Sequence, residues 1–325
     1  MLTDASGRII DYLRISVTDR CDFRCVYCHP PAGVSHRRAS TLLDTDGFVR
    51  IARVGVDLGV RRIRLTGGEP LLYADILPLV GRLAALPGLE DLALTTNGSH
   101  LGALALPLRR AGLRRVNLSI DSLQPERFAR ISRGGDLAET LRALDEARRA
   151  GLDVKINTVA LEGWNADELD DFVRFSVERG VEVRFIEFMP LCGQGWNPGL
   201  FLGAPEIRRR LSDRHLLRPL EPEGVATRFT TPTGARLGFI PTMSEPFCNG
   251  CRRIRLTSWG GLRPCLFSNR EVDLRPLIEA DGGGRDADAA LRDAFARAAL
   301  AKPERNPVLF AGEDAASLRI RSIGG

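Results

Sequence analysis

Six short runs rich in β-branched residues and leucine occupy the first two-thirds of the chain, separated by loops and by five segments of helical period. Few folds accept that rhythm. The runs are 13–17, 62–66, 92–96, 116–120, 154–159 and 183–188. Helices are expected over 44–58, 74–86, 100–111, 137–150 and 167–179, with Gly59, Gly112, Gly151 and Gly180 placed to end four of them. Strand alternating with helix implies an α/β fold, a parallel sheet covered by helices. Six units fit an open, partial (β/α)6 TIM-like barrel better than a complete eightfold one. After about residue 215 the rhythm fails, and Pro219, Pro222, Gly224, Pro232 and Gly234 crowd together. A β-rich patch and a helix near 286–299 follow. The expected division is a barrel over 1–217 and a smaller C-terminal domain over 218–325, and a length of 325 residues suits two domains.

In such barrels the loops after the strands meet on one face. Here those loops are the unusual parts of the chain: Thr-Asp-Arg-Cys at 18–21, Thr-Gly-Gly-Glu-Pro at 66–70, Thr-Thr-Asn-Gly at 95–98, Ser-Ile-Asp-Ser at 119–122, Asn-Thr-Val at 157–159 and Glu-Phe-Met-Pro at 187–190. A single such loop would read as a turn. Six at the same register read as an active face.

Seven cysteines occur, six of them in two triplets. Residues 1–10 lack a secretory pattern and no apolar run reaches the ~18 residues of a membrane span. The expectation is a cytoplasmic chain without a membrane, in which clustered cysteines bind metal rather than form disulfides. The first triplet, Cys21-x3-Cys25-x2-Cys28, can hold three irons of a [4Fe–4S] cube and leave the fourth open to a small molecule. Tyr27 sets an aromatic ring beside it, and Arg14 and Arg20 flank it. A structural zinc site is the alternative, with His29 or His36 as fourth ligand. The second triplet, Cys248-x2-Cys251-x13-Cys265, is again three thiols without an evident fourth, and by itself also resembles an incomplete zinc ribbon. Cys192 is left over and reads as a small buried or loop residue.

The formal net charge is +5, carried almost wholly by arginine, since Lys155 and Lys302 are the only lysines. Such a balance suits an anionic substrate. Aromatic residues are 6% of the chain and no basic stripe is interleaved with stacking residues, so nucleic acid is not expected as a partner. Arg253 and Arg255 fall on one face if their segment is extended, and paired guanidiniums grip phosphate well. Arg14, Arg64 and Lys155 lie on strands, Lys155 between Val154 and Ile156 and so directed inward.

The Cys21-x3-Cys25-x-Tyr27-Cys28 pattern followed by Gly67-Gly68-Glu69-Pro70 resembles the radical S-adenosylmethionine (SAM) superfamily. The segment Cys-Asn-Gly-Cys-Arg-Arg-Ile-Arg-Leu at 248–256, with Cys265 and the Gly324–Gly325 end, is similar to the molybdenum-cofactor GTP 3′,8-cyclase family over essentially the whole chain. That resemblance implies a lyase with two [4Fe–4S] clusters and S-adenosyl-L-methionine as cofactors. Cys21, Cys25 and Cys28 would hold the SAM cluster. Tyr27, Gly68, Ser119 and Met189 would line the SAM site, with Glu69 near its amino group. Cys248, Cys251 and Cys265 would hold the auxiliary cluster at the guanine end. Arg14, Arg64, Thr95, Lys155, Arg253 and Arg255 would bind GTP, mostly through its triphosphate, with Arg184 as an addition. The family's reaction cleaves SAM to a 5′-deoxyadenosyl radical, which takes the 3′ hydrogen of GTP, and the sugar carbon then attacks C8. The product, (8S)-3′,8-cyclo-7,8-dihydroguanosine 5′-triphosphate, passes to cyclic pyranopterin monophosphate synthase. An electron donor such as flavodoxin or ferredoxin and a homodimer are further expectations. The family's glycine tail reaches toward the active site. His29 stands where the family often has Met.

Two other readings compete. One is a radical SAM enzyme with an auxiliary cluster acting on a peptide, against which the Arg253, Arg255 and Lys155 set favours a triphosphate. The other is a zinc- or cluster-bearing binding module, which leaves the Gly-Gly-Glu-Pro loop without a purpose.

Overall fold

The structure, a computed structural model, describes residues 1–29, 38, 41–191, 197–279, 285–310 and 323. Cys192, His36 and the terminal Gly324 and Gly325 lie outside the described residues.

The six expected runs are strands β1 (Tyr12–Ser16), β2 (Arg62–Thr66), β3 (Asp91–Thr96), β4 (Arg115–Ser119), β5 (Asp153–Ala160) and β6 (Glu182–Glu187). They pair in chain order, each parallel to the next. Between them run helices α1 (Thr45–Asp57), α2 (Ile76–Ala84), α3 (Leu101–Arg110), α4 (Pro125–Ser132), α5 (Leu137–Arg149) and α6 (Leu169–Arg179). Parallel crossovers are right-handed. When the strand order never reverses, every helix therefore falls on the same side of the sheet, and the other side stays open for side chains.

Local chemistry sets the element ends. The Asp44 side chain accepts from Gly47 N at the start of α1, and Asp136 accepts from Ala138 N and Glu139 N at the start of α5. Gly59, Gly112, Gly151 and Gly180 all take positive φ just past their helices. Among the helices that went unread in the sequence are α4 and α7 (Ala204–Ser212). Pro125 and Pro205 in their first turns are the signals that mark them.

Residues beyond 217 do not form a layer of their own. Strands β7 (Arg218–Glu223), β8 (Ala226–Thr230) and β9 (Arg236–Ile240) extend one edge, with β9 parallel to β6. Strands β10 (Arg253–Leu256), β11 (Gly261–Arg263) and β12 (Val272–Asp273) extend the other, with β10 parallel to β1. Among the described residues the result is one open twelve-stranded sheet, with β12 and β7 at its edges. Helix α8 (Arg275–Glu279) leads to α9 (Arg285–Leu300), and α10 (Pro307–Phe310) follows.

The core lies between the sheet and the helices. Leu13, Ile15, Ile63, Leu65, Leu92, Leu94, Val116, Leu118, Val154, Ile156, Val183 and Phe185 alternate along the strands and face outward into it, all buried. Phe295 of α9 seals the far end beside Gly55 of α1, where an added Cβ would sit 3.2 Å from its ring. The residues between these apolar ones, Tyr12, Arg14, Arg64, Thr95, Asn117, Ser119, Lys155, Asn157 and Arg184, take the inner face. No helix among the described residues is long and apolar enough to cross a membrane.

Candidate active site

The first cysteine loop leaves β1 and is zipped to the loop after β2. Gly68 N donates to Thr18 O at 2.8 Å and Glu69 N to Arg20 O at 2.7 Å. The approach is so close that a Cβ on Gly68 would lie 2.1 Å from Arg20 O, and one on Gly67, whose φ is +159°, 2.6 Å from Thr18 O. Only glycine fits there. Cys28 N and His29 N both donate to Cys25 O at 2.9 Å, which folds the triplet into one turn. Arg24 N to Ser132 O and Val26 N to Ile131 O moor that turn to α4.

Cys21, Cys25 and Cys28 are all half-buried. Burial, then Glu69, pushes the Cys21 thiol up to about 12, and burial, then Asp121, pushes Cys25 higher still. Thiols so placed keep their protons unless a metal takes the thiolate, as cluster ligands do and reactive nucleophiles do not. Tyr27 donates to Asp121 Oδ2 at 2.6 Å, and burial pushes that carboxyl up to about 6.

Glu69 is wholly buried and does not line the cavity that the resemblance assigned it to. Its carboxylate accepts from Leu71 N at 3.0 Å, Thr96 Oγ1 at 2.8 Å and Asn97 N at 2.7 Å, so it ties the β2 loop to the β3 loop.

The second triplet is set by partners remote in sequence. Arg8 Nη1 donates to Cys248 O at 2.8 Å. Lys302 Nζ donates to Arg253 O at 2.7 Å and Pro264 O at 2.9 Å, clasping the two segments that carry Cys251 and Cys265. Burial raises the Cys251 thiol, but Arg253 and then Lys302 outweigh it and hold the group at about 6. Both triplets are three-thiol donor sets opening on one cavity. Among the described residues no three His, Cys, Asp or Glu side chains converge on a single ion, whereas a cluster spreads its thiolates over separate irons.

That cavity, about 380 Å³, runs along the inner face of the sheet. Cys21, Cys25, Cys28, Tyr27, Gly68, Ser119 and Met189 line it, as do Cys248, Cys251, Cys265, Arg14, Arg64, Thr95, Arg184, Arg253 and Arg255. Lys155 stands just outside the lining, buried, with its ammonium donating to Glu223, which does line it. The register explains the grouping of arginines: Arg14 pairs laterally with Arg64 on one side and Arg255 on the other. Burial pushes all three guanidiniums down, Arg14 well below its ordinary value and Arg255 to about 9, with Arg255 the next cause at Arg14 and Arg253 at Arg255. Arg64 lies 5.8 Å over the Tyr12 ring and Arg253 4.8 Å over Phe247. Arg64 Nε, Arg253 Nε, Thr95 Oγ1 and Asn157 Oδ1 are buried with no hydrogen-bond partner among the described residues. Buried polar atoms left unpaired in a cavity call for a partner there, whether water, ion or ligand.

Sequence reasoning missed Asn117, Asn157, Asp121, Glu223 and Lys302 as site residues. The asparagines had a signal, since each sits two residues from another inward position on its strand. Glu223 and Lys302 had none, because only the tertiary fold brings them in. One residue before the glycine tail, Ile323 packs with Leu191, Leu266 and Phe267, and Arg255 Nη1 donates to its carbonyl at 3.3 Å.

The radical SAM superfamily matches residues 15–176, and the family described as Molybdenum Cofactor Synthesis C matches 181–308. A GTP 3′,8-cyclase of Alkaliphilus oremlandii (strain OhILAs) is 38% identical over 329 aligned positions, covering 100% of each chain. That of Ectopseudomonas mendocina (strain ymp) is 43% identical, covering 94% of this chain and 93% of its own. Among solved structures, SuiB of Streptococcus suis bound to S-adenosylmethionine superposes with a TM-score of 0.62 at 18% identity, over 87% of this chain and 68% of that one. That likeness speaks to the fold alone.

Proposed function

The chain belongs to the GTP 3′,8-cyclase family of radical SAM enzymes, and from that premise we propose how its own side chains divide the work. The reaction is the cyclisation of GTP to (8S)-3′,8-cyclo-7,8-dihydroguanosine 5′-triphosphate in molybdenum cofactor biosynthesis, with SAM and two [4Fe–4S] clusters as cofactors. When bound, the reduced first cluster and SAM supply the radical chemistry, which the protein itself has no group to perform.

In this reading Cys21, Cys25 and Cys28 hold the SAM cluster, and Cys248, Cys251 and Cys265 hold the auxiliary one. Tyr27, Gly68, Ser119 and Met189 form the SAM end of the cavity. Tyr27 is fixed there by its bond to Asp121. Gly68, with no Cβ to collide with Arg20 O, lets the β2 loop lie against the cysteine loop at that end. Arg14, Arg64, Thr95, Arg253 and Arg255 bind GTP directly, and Lys155 and Arg184 join them at the triphosphate end. The observation that carries this is the row of buried guanidiniums on β1, β2 and β10, crowded enough to depress one another. A polyanion relieves that repulsion and meets the unpaired Arg64 and Arg253 Nε atoms. Anchoring the remote phosphates holds the ribose still relative to SAM, and the apolar wall of Phe247, Leu266 and Phe267 sheds water from the other end.

The division of labour follows 1–217 for SAM and 218–325 for the auxiliary cluster. The remaining reading is a cytoplasmic enzyme, possessing a homodimeric form, that draws electrons from a flavodoxin or ferredoxin and hands its product to cyclic pyranopterin monophosphate synthase.

The test is an anaerobic assay of the reconstituted, reduced protein with SAM and GTP, read by mass spectrometry. Expected are 5′-deoxyadenosine and a cyclised GTP product, both lost in Cys21→Ala. In Arg255→Ala the cyclised product is lost. SAM cleavage with intact GTP in the unaltered protein would remove the substrate assignment.

A further inference from the structure

Glu223 occupies an odd place. It ends β7, an edge strand whose residues are mostly exposed, and its carboxylate points into the cavity. There Oε1 accepts from Lys155 Nζ and meets Arg115 Nη1 at 3.2 Å and Arg184 Nη2 at 3.4 Å. Oε2 stands 3.8 Å from Arg228 Nη1. Three of these cations come from three adjacent strands, β4, β5 and β6, and their side chains are 26%, 10% and 7% exposed. The carboxylate that joins them is 37% exposed and rides a hairpin tip. Arg115 and Arg184 each keep a closer carboxylate of their own, Asp91 and Glu182, so they stay held in place without Glu223.

The hairpin is built to give. Its register slips between Leu220 and Glu223, and Gly224 turns at φ +67° with open space around it. Little apolar surface is buried by β7, so lifting its tip costs chiefly the ion pairs of Glu223 itself. A single carboxylate offers two oxygens and one charge. A triphosphate offers several of each, at the same hydrogen-bonding geometry.

We infer that Glu223 is a resident counter-ion of the triphosphate cradle, held there by Lys155, Arg115 and Arg184 and displaced by the terminal phosphates of the substrate. The inference rests on the proposed placement of the triphosphate beside Lys155 and Arg184. It makes Glu223 a specificity-determining residue: a ligand must bring more negative charge than the carboxylate it evicts. Short-chain nucleotides whose phosphates do not reach these cations gain nothing, whereas GTP replaces one carboxylate, with its single charge, by phosphates carrying several.

The test measures binding of inorganic tripolyphosphate and of GTP to the full-length reconstituted protein by anaerobic calorimetry. Glu223→Gln keeps the shape and removes the competing charge, so both ligands are expected to bind about three- to tenfold more tightly than to the unaltered protein, in keeping with the worth of a partly exposed ion pair. Lys155→Ala is expected to weaken both. If Lys155→Ala leaves tripolyphosphate binding unchanged, the cradle itself is misplaced and the inference goes with it. If Lys155→Ala weakens binding while Glu223→Gln leaves it unchanged or weaker, the cradle stands and the counter-ion role is overturned. Amide hydrogen exchange of the unaltered protein gives a readout independent of any variant. Eviction predicts faster exchange at 221–226 when tripolyphosphate binds, and slower or equal exchange there would count against it.

Discussion

At Glu69, three donors and full burial act in opposite senses on one carboxyl. Burial is the larger, and it pushes the group from its ordinary 4.5 up to about 7 in spite of bonds from Asn97 N, Leu71 N and Thr96 Oγ1. Between those two values the folded chain holds a proton that the unfolded chain has released. The stability this contributes is complete below about 4.5 and is lost as pH rises through about 7. Glu69→Gln cannot titrate. Thermal melts under anaerobic conditions from pH 5 to 8 should therefore show a steeper decline in Tm for the unaltered protein than for the variant. Parallel profiles would mean that Glu69 is ionised throughout. The residue's position gives the acid of the Gly-Gly-Glu-Pro motif a structural role: it holds the β2 and β3 loops in register.

At the scale of elements, the N-terminal hook governs the second cysteine loop. Arg8 is fixed by Asp4 at 2.5 Å, and its two terminal nitrogens donate to Cys248 O, Glu304 O and Pro303 O. One guanidinium thus joins the start of the chain, the turn bearing Cys248 and the segment after α9. Each such bond to a charged donor contributes about 1.5–3 kcal/mol, enough to fix the single 3-10 turn of Cys248–Gly250. Arg8→Ala is expected to leave the first cluster in place and to loosen the second. After reconstitution, iron and sulfide should fall toward the content of one cluster, with SAM binding retained. Loss of both clusters together would instead point to general unfolding.

The whole molecule carries a surplus of buried positive charge along one face of one sheet. Such charge is costly to fold around and is relieved by a bound polyanion. Ligands that bind only the folded state stabilise it by mass action, by about 2.7 kcal/mol at a hundred times Kd. The rise in Tm at matched concentrations should therefore run GTP above GDP above guanosine, and should shrink as salt is added. Equal shifts from GTP and guanosine would place the affinity in the base and away from the arginine row.

Much of this was legible in the chain itself. Leu13 and Ile15 face the helices while Arg14 faces the cavity, because alternation on a strand is a property of neighbours two residues apart. The same local rule gave the six strands, most of their helices and the glycines that end them, and the grouping of six cysteines into two triplets marked each as a candidate metal-ligand set. The tertiary structure alone decided what distant segments do to one another. It put β9 against β6 and β10 against β1, so that residues beyond 217 add strands to both edges of the one open sheet. It also brought Glu223 to Lys155, 68 residues away, and Lys302 to Arg253, 49 residues away. Local periodicity is set by a few adjacent side chains, whereas the pairing of remote strands and charges depends on packing summed over the whole chain, which no short stretch of sequence contains.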